Sequence, residues 1–196
     1  MSLQCFFEQQ IKYSLDEEGQ APLGTKVSKK RVTALTGASI TGKKLPILIV
    51  GKAKNPHSFR KHSFRCFKYA SQKNAGVTSI IFNKYLEGLD EQMRAEGRHI
   101  AITFDNCTAH YILQEDFTNI TFFSLPANTT AVMQPMDAGI INSIKTRYRY
   151  KLSLRKFKDA YAKVKICLTP YEANVLISKI WNETSCLLSI SFSFMD

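Results

Sequence analysis

The sequence predicts one α/β domain, a mixed sheet flanked by helices, and three observations lead there. Apolar runs of strand length alternate with patterns of helical period along the 196 residues. Hydrophobic residues make up 44% of the chain, enough to bury a sizeable core. Two apolar runs, residues 100–104 and 120–126, follow one another as parallel strands joined by a crossover do.

The elements follow in order. Residues 1–27 read as irregular, with turn material at Asp16-Glu17-Glu18-Gly19 and Pro22-Leu23-Gly24. Residues 31–38 and 45–51 suit two strands separated by the turn Thr41-Gly42-Lys43-Lys44, an antiparallel hairpin with Pro46 near the second strand's start. Residues 51–65 form a basic loop, and 67–70 suit a short edge strand. Thr78 is placed as an N-cap, because Ile81, Phe82, Tyr85, Leu86, Leu89 and Met93 recur at helical spacing over 79–95. Gly97 suits the position just past that helix. After the strand ending at Phe104 and the one at 120–126, Ile140, Ile141, Ile144, Tyr148 and Leu152 form an apolar stripe with Lys145, Arg147, Arg149 and Lys151 around it, a basic amphipathic helix. A last helix starts at Pro170 behind the cap Thr169 and runs through Trp181. The tail, 185–196, alternates serine with large apolar residues and fits neither helix nor loop.

Charge is unevenly placed on a chain of net charge +11. Residues 19–86 hold fourteen Lys and Arg and no acid, and residues 145–165 hold nine against Asp159. Such asymmetry favours a polyanionic partner, nucleic acid above all, with Lys52, Lys54, Arg60, Lys61, Lys145 and Arg149 as backbone contacts. A solvated basic face, or one that docks an acidic domain, is the alternative. The five cysteines are scattered without a Cys-x-x-Cys pair, so neither a zinc site nor a disulfide framework is indicated. No stretch approaches the roughly 18 apolar residues of a membrane span. Lys29-Lys30-Arg31 is a short cluster of the kind that serves nuclear import.

Two acids carry the candidate chemistry. Asp105 falls where an apolar strand leaves the core, and Asp137 follows Pro135 and precedes a helical pattern. Taken alone, each is a cap or turn residue before it is a ligand. Delivered together to one edge, they suit a divalent cation. Asn106 either orients Asp105 or makes an Asx-turn, and His110 is a partner of the site or a surface residue. His57 and His62, with no Cys or acid beside them, read as basic surface. Glu87, Asp90 and Glu91 read as solvated charges on the outer side of a helix.

The series Asp105-Asn106-Cys107-Thr108-Ala109-His110, Leu125-Pro126-Ala127-Asn128-Thr129-Thr130 and Gln134-Pro135-Met136-Asp137-Ala138-Gly139, preceded by residues 45–52, resembles the DDE endonuclease domain of pogo/Tigger-type transposases and their jerky-like and centromere protein B-like relatives. The resemblance spans residues 28–184. It implies an RNase H-like fold in which Asp105 and Asp137 are two of three acids holding Mg²⁺ or Mn²⁺ for phosphodiester cleavage and strand transfer. Asn106, His110 and Asn128 would support those ligands, and basic surfaces would track double-stranded DNA, in the nucleus.

The pattern breaks at the start. The family's first acid lies in an Asp-Glu-Thr-Gly-like motif on the first core strand, whereas positions 2–5 are Ser-Leu-Gln-Cys. The first core strand and its acid are therefore expected to be lacking, and the chain to be a truncated or decayed copy that binds nucleic acid without cleaving it. Two other readings stay open: a working endonuclease that recruits another acid such as Asp16, and a domesticated protein-interaction or homodimerisation module.

Overall fold

The computed structural model describes residues 2–12, 31–39, 41–62, 65–105, 107–112, 117–125, 139–161 and 168–184. Six strands form one sheet: β1 (Ser2–Lys12), β2 (Arg31–Ser39), β3 (Leu48–Gly51), β4 (Lys68–Ser71), β5 (Ile100–Phe104) and β6 (Ile120–Ser124). Their spatial order is β4-β3-β2-β1-β5-β6. β2 is antiparallel to β1 and to β3, while β1 and β5, β5 and β6, and β3 and β4 pair in parallel. An antiparallel meander extended by parallel strands on the far side of β1 is the RNase H-like sheet.

The expectation that the first core strand is lacking, and that residues 1–27 are irregular throughout, is corrected here. β1 lies near the middle of the sheet. Gln4 to Lys12 pair with β2 in unbroken register, and Ser2 to Cys5 pair with β5. The segment Ser-Leu-Gln-Cys-Phe-Phe-Glu-Gln-Gln-Ile-Lys has few β-branched residues and three glutamines, so its own pattern is weak. Strand formation here is set by the ladders on its two edges, because β-propensity yields to cross-strand context.

The two faces of the sheet are read from period-two alternation. Val32, Ala34 and Ala38 of β2, with Ile47 and Ile49, belong to one buried cluster, while Leu35, Leu48 and Val50 belong to the other. Helix α1 (Ser79–Ala95) covers the second cluster through Phe82, Tyr85, Leu86, Leu89 and Met93. The Thr78 hydroxyl accepts from the Ile81 N–H at 3.4 Å at its start, and Gly97, at φ +61°, lets the chain turn away past its end. Helices α2 (Ile141–Tyr161) and α3 (Pro170–Glu183) cover the first cluster. α2 buries Ile141, Ile144 and Tyr148, and α3 buries Ala173, Ile177, Ile180 and Trp181. Thr169 and Glu172 form a reciprocal capping box with Pro170 in the first turn of α3. The Trp181 indole N–H donates to the Leu45 carbonyl at 3.1 Å, and the Ser178 hydroxyl to the Cys66 carbonyl at 2.8 Å, so α3 is bolted to the segments that lead into β3 and β4.

Asp90 is a second correction. It is buried, not solvated: its carboxylate accepts from the Asn119 N–H at 2.8 Å and from Arg94 at 2.9 Å. The Asn119 side chain in turn donates to the Arg98 carbonyl at 2.9 Å. This cluster fixes the entry to β6 against the far end of α1.

A proline at Gln4, which is paired on both edges of β1, removes a ladder N–H from the interior of the sheet. Gln4→Pro is expected to destabilise the domain by about 1–3 kcal/mol in denaturant unfolding. An unchanged unfolding midpoint would mean that residues 2–12 are not held in the sheet.

Candidate functional site

β1, β3, β4, β5 and β6 all run in one direction, so their carboxyl ends share one edge of the sheet. Asp105 follows the end of β5 at that edge. Lys52 and Lys54, both exposed, follow the end of β3 at the same edge. The chain then turns through the short 3-10 segment Thr108–His110, whose closing N–H, that of His110, donates to the Cys107 carbonyl at 2.9 Å. That turn swings the His110 ring back beneath the strand end, where Nδ1 hydrogen-bonds Asp105 Oδ1. The imidazole is fully buried against Phe82, at 4.6 Å between ring centroids, and Phe104, at 6.0 Å. Its Nε2 has no hydrogen-bond partner among the described residues. The Asp105 side chain keeps 22% exposure. Asn83 of α1 ties the segment down by donating to the Tyr111 carbonyl at 2.8 Å. The acid is thus presented outward from a rigid, aromatic-backed support.

Of the residues expected around Asp105, His110 touches it, while Asn106, Asn128 and Asp137 lie outside the described residues. Among the described residues no three His, Cys, Asp or Glu side chains gather as a metal-binding group. The β1–β5 register, carried two residues past Cys5 opposite Thr103, brings Phe7 level with Asp105. Glu8, the one acid in β1, lies a register step beyond. A pair of hard divalent ions needs several converging carboxylates. The described donors supply one, with one oxygen engaged by His110, and Asp137 lies outside the described residues.

A second region lies on the α2–α3 side. There the 3-10 turn His57–Phe59, α2 and α3 enclose an open groove of about 760 Å³. Lys61, Lys151, Arg155 and Lys179 line it with His57 and His62, against a single acid, Glu172. Arg155 reaches Glu172 at 2.9 Å, and Lys151 reaches Glu183 at 2.7 Å, ion pairs that also clamp α2 to α3. Burial would raise the Glu172 carboxyl, but hydrogen bonds from the Thr169 N–H and hydroxyl and from Arg155 hold it below the usual carboxylate range. The hydrogen bond from Lys151 does the same for Glu183. Lys61 and Lys179 have no carboxylate within ion-pair distance among the described residues. Tyr171 anchors one wall: its N–H donates to Ser58 Oγ at 3.2 Å, and His62 stacks on its ring at 3.7 Å with the planes 2° apart.

Lys61 is the one expected nucleic-acid contact that lines this groove. Arg60 is exposed beside it, and Lys145 and Arg149 lie elsewhere on α2. Lys151, Arg155 and Lys179 do not stand out in the sequence, because the groove joins three segments far apart in the chain. The i,i+4 spacing of Lys151 and Arg155 is the available hint.

Residues 29–186 match the DDE superfamily endonuclease family. The chain belongs to that family. Over 133 residues it is 32% identical to Tigger transposable element-derived protein 4 of Mus musculus, a match covering 67% of this chain and 26% of the relative. It is 27% identical over 127 residues to the major centromere autoantigen B of Homo sapiens, covering 64% of this chain and 20% of that protein. The chain therefore spans about a quarter of the length of the curated relatives it matches. Among solved structures, the Mos1 transposase paired-end complex with left transposon end aligns at a TM-score of 0.46 and 12% identity, over 92% of this chain and 52% of that one.

In this DDE-family domain the Asp105–His110 hydrogen bond is expected to be a coupled, partly buried interaction. A double-mutant cycle of Asp105→Ala and His110→Ala, followed by urea unfolding, should give a coupling of about 0.5–3 kcal/mol. Additive effects would show that the two side chains act independently.

Proposed function

We propose that the chain is a transposase-derived DDE domain that binds double-stranded DNA through its basic surfaces and does not cleave it. The observation that carries this reading is the groove in which Lys61, Lys151, Arg155 and Lys179 face Glu172 alone. Arg155 and Lys151 are paired with Glu172 and Glu183, and the two cations without ion-pair partners among the described residues, Lys61 and Lys179, are free to meet phosphates. Lys52 and Lys54 extend the basic surface to the sheet edge that carries Asp105. Kinship with transposase-derived and centromere proteins supports the choice of DNA over other polyanions.

The reading without cleavage is supported by the β1 register, which, carried past the last paired residues Cys5 and Thr103, sets Phe7 and not an acid level with Asp105. Ancestral Mg²⁺ or Mn²⁺ chemistry used Asp105 and Asp137 with that third ligand. Asp105 stays as a residue that shapes the edge, held there by His110. The nucleus is the compartment where such a partner is met, in keeping with the Lys29-Lys30-Arg31 cluster. Among the described residues no helix is long and apolar enough to cross a membrane.

The test is duplex-DNA binding by the full chain across a salt series. Lys61 and Lys179 are exposed, so Lys61→Glu with Lys179→Glu should leave folding intact. The pair should weaken binding by about tenfold or more at low salt and reduce the log–log salt slope by about 0.9 for each phosphate no longer neutralised. Asp105→Ala should leave affinity unchanged. Wild-type affinity and slope in the double variant would overturn the groove as the interface.

A further inference from the structure

The second half of α2 carries a line of large apolar side chains turned to solvent. Tyr150 is 64% exposed, Leu154 41%, Phe157 71% and Tyr161 88%. They account for four of the seven exposed large hydrophobic residues among those described, and all four fall within one helix. Their spacing is four, three and four residues. At 100° per residue they occupy an arc of about 60°, on the side of α2 opposite the buried Ile141 and Tyr148. A single-file line at this spacing is the narrow seam of helix–helix pairing, not the broad stripe with which a helix lies on a core.

The charges beside the seam are all of one sign. In helical projection Lys158 flanks it on one side and Arg149 on the other, both exposed, while Arg147 beside Lys158 reaches toward α3 and donates to the Glu183 carbonyl at 3.4 Å. The acids paired with α2, Glu172 and Glu183, are on α3 and face Lys151 and Arg155.

We propose that this seam docks an acidic amphipathic helix of a partner protein. Apolar residues of that helix would cover Tyr150, Leu154, Phe157 and Tyr161, and its flanking carboxylates would meet Arg149 and Lys158. Charge complementarity selects this occupant. A second copy of the chain would set these cations against their own kind. Nucleic acid would satisfy the cations but leave four apolar side chains against water. An anionic membrane takes up a wider apolar face than one file of side chains. The seam is about 16 Å long at 1.5 Å per residue, so the interface is a small, transient one.

The experiment uses the full chain and a fluorescent synthetic helix of about three heptads, with Leu at the seam positions and Glu beside them. The comparison peptides are a scrambled one of the same composition and one with Lys in place of Glu. The acidic helix should bind roughly tenfold or more tighter than either. Leu154→Glu with Phe157→Glu should weaken that binding by about tenfold or more while leaving the circular-dichroism melting curve in place, since both side chains are exposed. Equal binding of the scrambled peptide, or indifference to the double variant, overturns the proposal. So does self-association in sedimentation, or binding to phosphatidylcholine–phosphatidylserine vesicles, that Leu154→Glu with Phe157→Glu abolishes while peptide affinity stays the same.

Discussion

β1 is held by backbone ladders on both edges, antiparallel to β2 and parallel to β5. Those ladders join two parts of the sheet, β4-β3-β2 with its cover of α2 and α3, and β5-β6 with α1 packed beneath. Removing β1 would leave two open edges of unpaired N–H and C=O groups where there is now one continuous sheet. The parallel half also sets where Asp105 emerges, because β5 takes its direction from β1. The same register leaves aromatic residues, not a carboxylate, level with that acid. One strand thus both holds the architecture together and sets the register beside Asp105.

The domain keeps its basic groove apart from the strand end that carries Asp105. Asp105 and His110 sit at the carboxyl end of β5, whereas the groove of Lys61 and Lys179 lies with α2 and α3 beyond β3. Three strand steps separate β3 from β5, roughly 14 Å. Among the described residues no hydrogen bond in the groove runs through the Asp105 support, and the packing of Phe82 and Phe104 against His110 belongs to the opposite face of the sheet. A substitution at the first region is therefore expected to leave the second unchanged.

Much of this is legible in the sequence wherever local chemistry decides. Thr78 and Thr169 mark helix starts because a hydroxyl satisfies an orphan N–H, and both do so here. The hairpin of β2 and β3 and the parallel pair β5–β6 follow from apolar runs bounded by turns. β1 is not legible, because Gln4, Gln9 and Gln10 give no alternating pattern and the strand owes its state to its neighbours. Asp90 misleads for the same reason: it sits among charged residues of α1, and only the return of the chain at Thr118 and Asn119 buries it. The groove escapes notice because His62, Arg155 and Tyr171 become neighbours only when α2 and α3 close over the turn after β3. Asp105 is located by its strand, but its bond to His110 depends on the turn through Thr108 that no spacing rule encodes.

The central claim is a DDE-family fold that keeps its polyanion surface without a working metal centre. Incubation of the purified full chain with supercoiled plasmid and Mg²⁺ or Mn²⁺ tests it most directly, with binding followed by mobility shift in parallel. The account predicts a shifted plasmid that stays supercoiled at every metal concentration. Nicked or linear product that forms with the wild-type chain and vanishes with Asp105→Ala would contradict it.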